Sequence, residues 1–84
     1  GTHGMDIEFG FSSPNLIESD TNREVIRRAA KFVVLADHTK WGIRGFSSFA
    51  ELSEADGVIT TDGLSPEALS TLRENVKEVL LAKP

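Results

Sequence analysis

Five consecutive apolar residues, Phe32-Val33-Val34-Leu35-Ala36, form the longest uninterrupted apolar run in the chain. Five residues make one strand and fall far short of the roughly 20 that cross a bilayer as a helix, so the run argues for a folded core and against a membrane span. Because it is apolar on both faces, it has the pattern of a buried parallel strand and not of a sheet with one wet side. A parallel strand needs a neighbour and a crossover, and the sequence supplies both. Gly57-Val58-Ile59-Thr60-Thr61 reads as the next strand, Asp62-Gly63 breaks it, and Ser65-Pro66 caps and opens a helix that carries Leu69 and Leu72. Residues 76–82, with Val79, Leu80 and Leu81, supply the last strand, giving a β-α-β unit that should cross over right-handed.

Upstream, residues 16–30 carry Ile17, Val25 and Ala29, with Ile26 and Ala30 beside them, while Arg23, Glu24, Arg27 and Arg28 fall largely on other faces. This predicts an amphipathic helix. Two starts are open to it: Ser13 before Pro14 suits an N-cap followed by proline, and Thr21-Asn22-Arg23-Glu24 has capping-box spacing. After a polar stretch over residues 37–45, Phe46 and Phe49 should return the chain to the core across a short extended piece. The expected class is therefore α/β, a partial parallel sheet with flanking helices, in one domain over residues 1–84 with no internal boundary.

Eighty-four residues hide only about 60 to 65% of the surface that the unfolded chain exposes, so a core of this size is marginal. There is no cysteine to add a disulfide, a thiolate nucleophile or a cysteine-held zinc, which fits a reducing compartment and a cytoplasmic location. Nine Lys and Arg stand against thirteen Asp and Glu, a net charge of −4, the wrong sign for neutralising a phosphate backbone. Direct nucleic-acid binding is not expected.

Ligands in open α/β sheets sit outside the carboxyl ends of the strands, and three polar clusters qualify as loops there. They are Gly1-Thr2-His3-Gly4, Gly10-Phe11-Ser12-Ser13 and Asp37-His38-Thr39-Lys40. Gly10 permits close backbone approach, Ser12 and Ser13 offer hydroxyls, and a following helix start would favour an anion. The same residues also read as plain capping. Asp37 can accept from sugar hydroxyls and Lys40 can meet a phosphate, or the first caps its turn and the second is solvated. His3 and His38 lack a partner at zinc-like spacing, Trp41 reads as a packing anchor, and no Gly-x-Ser-x-Gly elbow supports hydrolase chemistry.

As an ordered series these clusters resemble the effector-binding domain of DeoR-family transcriptional regulators. The series is Gly10-Phe-Ser-Ser-Pro-Asn-Leu-x-Glu18, then Asn22-Arg23, then Leu35-Ala-Asp-His-Thr-Lys-Trp-Gly42, continued by Leu52-Ser-Glu-Ala-Asp56 and Ile59-Thr-Thr-Asp62-Gly63-Leu64. The resemblance implies a fold like part of the ribose-5-phosphate isomerase-like (isomerase/CoA-transferase-like) sensor domain, and a phosphorylated sugar or related metabolite as effector. It would place Thr2, His3, Gly4, Ser12, Ser13, Glu18, Arg23, Asp37, Thr39 and Lys40 around the effector, with no cofactor, no metal and no catalysis. It also implies that this stretch is the C-terminal portion of the sensor, with DNA contacted only through a helix-turn-helix domain absent here. Two other readings stand beside it: a sugar-phosphate isomerase-like enzyme fragment with Glu18 as its best base, and a subunit-contact module. Strands without their usual neighbours lead to a further expectation, self-association.

Overall fold

A computed structural model of the chain describes residues 1–83; Pro84 lies outside the described residues. Two three-stranded sheets share one core. The first is antiparallel, in the order β1 (Gly4–Asp6), β2 (Gly10–Ser13), β4 (Ser47–Ala50), and the second is parallel, in the order β3 (Val33–Leu35), β5 (Gly57–Thr61), β6 (Val79–Ala82). Helix α1 (Leu16–Arg28) links β2 to β3 and helix α2 (Pro66–Asn75) links β5 to β6.

The β-α-β unit forms where the sequence places it. Ser65 caps α2 by accepting from the Ala68 N–H at 3.1 Å, Pro66 opens the helix, and β5 and β6 pair in parallel with Val58 opposite Val79. The last strand is shorter than residues 76–82, because Val76 closes α2 by donating its N–H to the Leu72 carbonyl. Leu72 and Val76 are buried with Val34 and Val58 from one face of the parallel sheet, and with Met5, Phe11 and Phe49 from the other sheet. Phe11 lies edge-on to Phe32 at 5.7 Å and stacks with Phe49 at 6.3 Å, joining the two halves of the core.

Other expectations are corrected as well. Gly10-Phe11-Ser12-Ser13 is not a loop but the buried central strand of the antiparallel sheet. It can be one because Gly10 takes φ +76° as the β1–β2 turn closes, at a place where a Cβ would overlap the Ala50 carbonyl. Helix α1 starts at neither foreseen place: Asn15 is its N-cap, accepting from the Glu18 N–H at 2.8 Å, and Pro14 precedes the cap. Most of its apolar stripe does not face the core: Ile17 and Val25 are 79% and 60% exposed, Ile26 packs against the core, and the buried side carries Ser19, which donates to the Ser47 carbonyl at 3.1 Å. Phe46 is likewise exposed, because strand alternation turns Ser47 and Phe49 inward.

The strand at β3 is parallel as expected but not buried on both faces. Val34 is buried, whereas Val33 and Leu35 are 48% and 62% exposed. Among the described residues nothing pairs with the outer edge of β3, and its second face has no covering layer.

Candidate functional site

The sequence-predicted residues fall into two groups and a remainder. The first group surrounds an open cleft of about 530 Å³ between the amino-terminal segment and the first turns of α1, lined by Thr2, His3, Ser13 and Glu18 together with Thr21 and Asn22. The β1–β2 pairing puts them there. The His3 N–H donates to the Ser12 carbonyl at 2.9 Å, and the Thr2 hydroxyl reaches the Gly4 and Ser12 carbonyls at 2.7 and 3.1 Å, so the segment before β1 is tied along β2. Ser13 ends β2 at the cleft wall and accepts from the Asn22 side-chain amide at 3.1 Å. Chemically this cleft offers hydroxyls, one amide, one imidazole and one carboxylate, a set suited to the hydroxyls of a polyol or sugar.

A second cleft, about 310 Å³, lies at the carboxyl ends of the parallel strands and is lined by Leu35, Asp37, Ile59, Thr60, Thr61 and Ala82. Here the topology delivers what open α/β sheets present at strand ends. Asp37 opens a short 3-10 turn, His38–Lys40, accepting from the Thr39 N–H at 2.9 Å and from the Thr39 hydroxyl. Those two bonds, with Lys40 and His38 nearby, hold the Asp37 carboxyl below its ordinary value, so it is ionised at neutral pH. His38 ties the turn to the end of β5: its backbone N–H donates to the Thr61 hydroxyl at 2.9 Å, and its Nδ1 lies 2.6 Å from the same oxygen. Lys40 sits half-buried in that turn. Thr60 is 2% exposed and its hydroxyl has no hydrogen-bond partner among the described residues.

The two clefts are neighbours. Gly1 lines the first, and a Cβ on it would stand 3.6 Å from the carbonyl of Leu35, which lines the second.

Gly4, Ser12, Arg23, Thr39 and Lys40 belong to neither lining; Thr39 and Lys40 stand in the turn that Asp37 opens beside the second cleft. Ser12 is fully buried and accepts from the Gly45 N–H at 2.8 Å, Gly4 packs where a Cβ would overlap the Ile43 carbonyl, and Arg23 is held by Asp20 at 2.9 Å and by the Ser48 carbonyl. Trp41 packs against the core and bridges Met5, as its packing reading required. Thr21, Asn22, Thr60 and Thr61 were not among the site residues expected from the sequence. Asn22 stood beside Arg23 in a noted pair, and the structure turns the amide, not the guanidinium, to the cleft. Among the described residues there is no group of three or more His, Asp or Glu placed to hold a metal ion, and no helix is long and apolar enough to cross a membrane.

Residues 1–62 match the family model described as the DeoR C terminal sensor domain. Over 68 residues the chain is 38% identical to the HTH-type transcriptional regulator GlpR of Haloferax volcanii, covering 81% of this chain and 27% of that protein. It is 32% identical over 76 residues to the HTH-type transcriptional regulator YulB of Bacillus subtilis, covering 90% and 30%. With FruR, another HTH-type transcriptional regulator of Bacillus subtilis, the identity is 40% over 62 residues, covering 74% and 24%. The chain thus spans less than a third of the length of these relatives. The order of motifs and the extent of the family match lead to one assignment: the chain belongs to the DeoR family of transcriptional regulators, within the C-terminal sensor domain.

Proposed function

We propose that the chain forms the effector-contacting C-terminal portion of a DeoR-type sensor, and that the effector is a phosphorylated sugar or a closely related metabolite. The observation that carries this reading is that the cleft lined by Thr2, His3, Ser13, Glu18 and Asn22 lies near the strand-end cleft, which is largely apolar but for Asp37, Thr60 and Thr61 and is flanked by the Asp37–Lys40 turn. The α1 cleft, with Thr2, His3, Ser13, Glu18 and Asn22, takes sugar hydroxyls. The turn at the strand ends, with Asp37, Thr39 and Lys40, supplies one anchored carboxylate for a hydroxyl and one ammonium for the phosphate. Ser12 and Gly4 support the strand that carries Ser13, and Arg23 fixes α1 to β4. In a complete regulator, the ligand would favour one arrangement of the sensor over another by contacts it makes in only one of them, and so alter how a DNA-binding domain is presented.

Calorimetric titration of the chain with a panel of sugar phosphates tests the proposal, with the unphosphorylated sugars and inorganic phosphate as controls. At least one phosphosugar should bind more tightly than either half alone. Lys40→Ala should weaken that binding roughly 10- to 100-fold, the equivalent of one charge-assisted hydrogen bond, and Glu18→Gln should weaken it without abolishing the response to phosphate. A panel in which no phosphosugar binds better than its unphosphorylated form refutes the reading.

A further inference from the structure

His38 follows Asp37 in the strand-end turn, yet its ring is not part of the strand-end cleft. It reaches across to the connection between β5 and α2, where Nδ1 lies 2.6 Å from the Thr61 hydroxyl. There the ring fills the place a side chain at residue 63 would take: the atoms that a Cβ on Gly63 would overlap all belong to the His38 imidazole. Gly63 has no positive φ, so the ring and not the backbone is what excludes a side chain at this position. The Asp62-Gly63 pair therefore ends β5 and also makes room for a residue of the neighbouring turn.

The protons follow from the contacts. The Thr61 oxygen already accepts the His38 backbone N–H at 2.9 Å, and its own proton needs an acceptor. Nδ1 is the acceptor in reach, which puts the proton of the neutral imidazole on Nε2. One hydroxyl thus holds His38 twice, by main chain and by ring, from 23 residues away. The other bonds of the turn are local. Asp37 Oδ1 accepts from the Thr39 N–H and hydroxyl, and the Lys40 N–H donates to the Asp37 carbonyl at 3.2 Å. These set the shape of the turn and not its place on the sheet. Among the described residues, the two bonds to Thr61 are the hydrogen bonds that tie residues 37–40 to another element.

We infer that His38 is a positioning residue of the strand-end site: clasped between the Thr61 hydroxyl and the side-chain-free Gly63, it holds the Asp37–Lys40 turn in place before any ligand arrives. Asp37 Oδ2 and the Lys40 ammonium are then presented together from a fixed turn, while Oδ1 is taken up by Thr39. The effector role of this turn rests on the proposed function; the clasp exists without a ligand.

Nuclear magnetic resonance of the ligand-free 84-residue chain tests the clasp. With the ring neutral, the His38 nitrogen shifts should show a proton on Nε2 and none on Nδ1; Thr61→Val should abolish that preference and Thr61→Ser should keep it. Amide exchange at Thr39 and Lys40 should quicken by a few-fold to about tenfold in Thr61→Val and His38→Ala, the equivalent of one neutral hydrogen bond, and stay at the parent rate in Thr61→Ser. The Val58 amide, bonded to the Glu78 carbonyl at 2.9 Å, checks that the sheet is intact. Gly63→Ala should quicken the same two amides by pushing the ring aside, and should add nothing in a His38→Ala background. A proton on Nδ1, turn amides indifferent to Thr61→Val, or a Gly63→Ala effect that persists without the ring would each overturn the inference. A titration with phosphosugars separates it from the reading it rests on. Where the parent binds one, His38→Ala should weaken binding and add little to Lys40→Ala; unchanged affinity with freed turn amides overturns the positioning role. A parent that binds none refutes the effector reading, and the clasp is then decided by the ligand-free spectra.

Discussion

Replacing Ser12 by alanine separates a supporting role from a ligand contact. The hydroxyl is fully buried and accepts from the Gly45 N–H at 2.8 Å, in a space so tight that a Cβ on Gly4 or Gly45 would stand 3.0 Å from it. Alanine leaves the Gly45 N–H without its partner and opens a hydroxyl-sized gap between two chain segments. Losing a neutral hydrogen bond to a part-buried amide costs about 1 to 2 kcal/mol. An 84-residue domain has on the order of 4 to 13 kcal/mol in total, and 1 kcal/mol moves the midpoint of a chain this size by about 4 to 8 °C. Thermal unfolding followed by circular dichroism should therefore show Ser12→Ala melting roughly 4 to 16 °C below the parent, while Ser70→Ala, at an exposed serine of α2, changes little. Affinity for any phosphosugar, measured well below the transition, should be unchanged. An unaltered midpoint combined with weakened ligand binding would show that the Ser12 hydroxyl faces the effector, and the division into lining and supporting residues would fail.

Asn15→Ala should cost about 1 kcal/mol through loss of the α1 N-cap, whereas Thr21→Ala should cost far less; urea midpoints ranked the other way would restore the capping-box start. Gly10→Ala and Gly42→Ala both place a Cβ at positive φ, but only Gly10 would meet the Ala50 carbonyl, Gly42 having open space around it. Gly42→Ala should then be folded and weaker by about 1 kcal/mol, while Gly10→Ala should lose the dispersed amide NMR spectrum of the parent. Acid should weaken the fold through three carboxylates. At Asp6, burial pushes the pKa up, but the Phe9 and Glu8 amides and Arg44 outweigh it; the Thr39 hydroxyl and amide lower Asp37, and the Phe32 amide and Lys77 lower Asp56. With folded values below the ordinary ~3.9, their stabilisation is complete above that pH and is lost as pH falls through the folded values. Unfolding midpoints should decline below about pH 4, and less steeply for Asp56→Asn; a flat profile there would refute the pairing.

What the sequence made legible, and what it hid, follows from where each element finds its partners. The β5-α2-β6 unit announces itself because its signals are local: a breaker at Asp62-Gly63, a cap at Ser65-Pro66, and apolar residues that point to the core they pack against. Helix α1 is hidden because its docking is polar. Ser19 bonds the Ser47 carbonyl, Asn22 the Ser13 hydroxyl and Arg23 the Ser48 carbonyl, so the docked side reads as largely hydrophilic with Ile26 as its apolar contact, while Leu16, Ile17 and Val25 face out. Strand β2 is hidden for the same reason, since Gly-Phe-Ser-Ser looks like a loop until both serine hydroxyls are seen satisfied inside the fold, one by Gly45 and one by Asn22. The site inherits this division. The turn from Asp37 to Lys40 was readable because it follows directly on an apolar strand, and its capping bonds lie within two residues.

The α1 cleft could be read only in outline, because its walls meet across the β1–β2 hairpin and α1, whose pairing depends on the positive φ of Gly10 and on side-chain bonds between residues nine apart. The physical consequence bears on sensing itself. A helix fixed to its sheet by three side-chain hydrogen bonds and the apolar contact of Ile26 has less apolar surface to lose on shifting than a helix seated on a full hydrophobic stripe. The geometry of the cleft it walls is therefore one that a bound ligand could bias at modest cost. Ser13 and Asn22 stand at that point, bonded to each other and lining the cleft, so under the proposed function a sugar hydroxyl that competed for their bond would act directly on the position of α1.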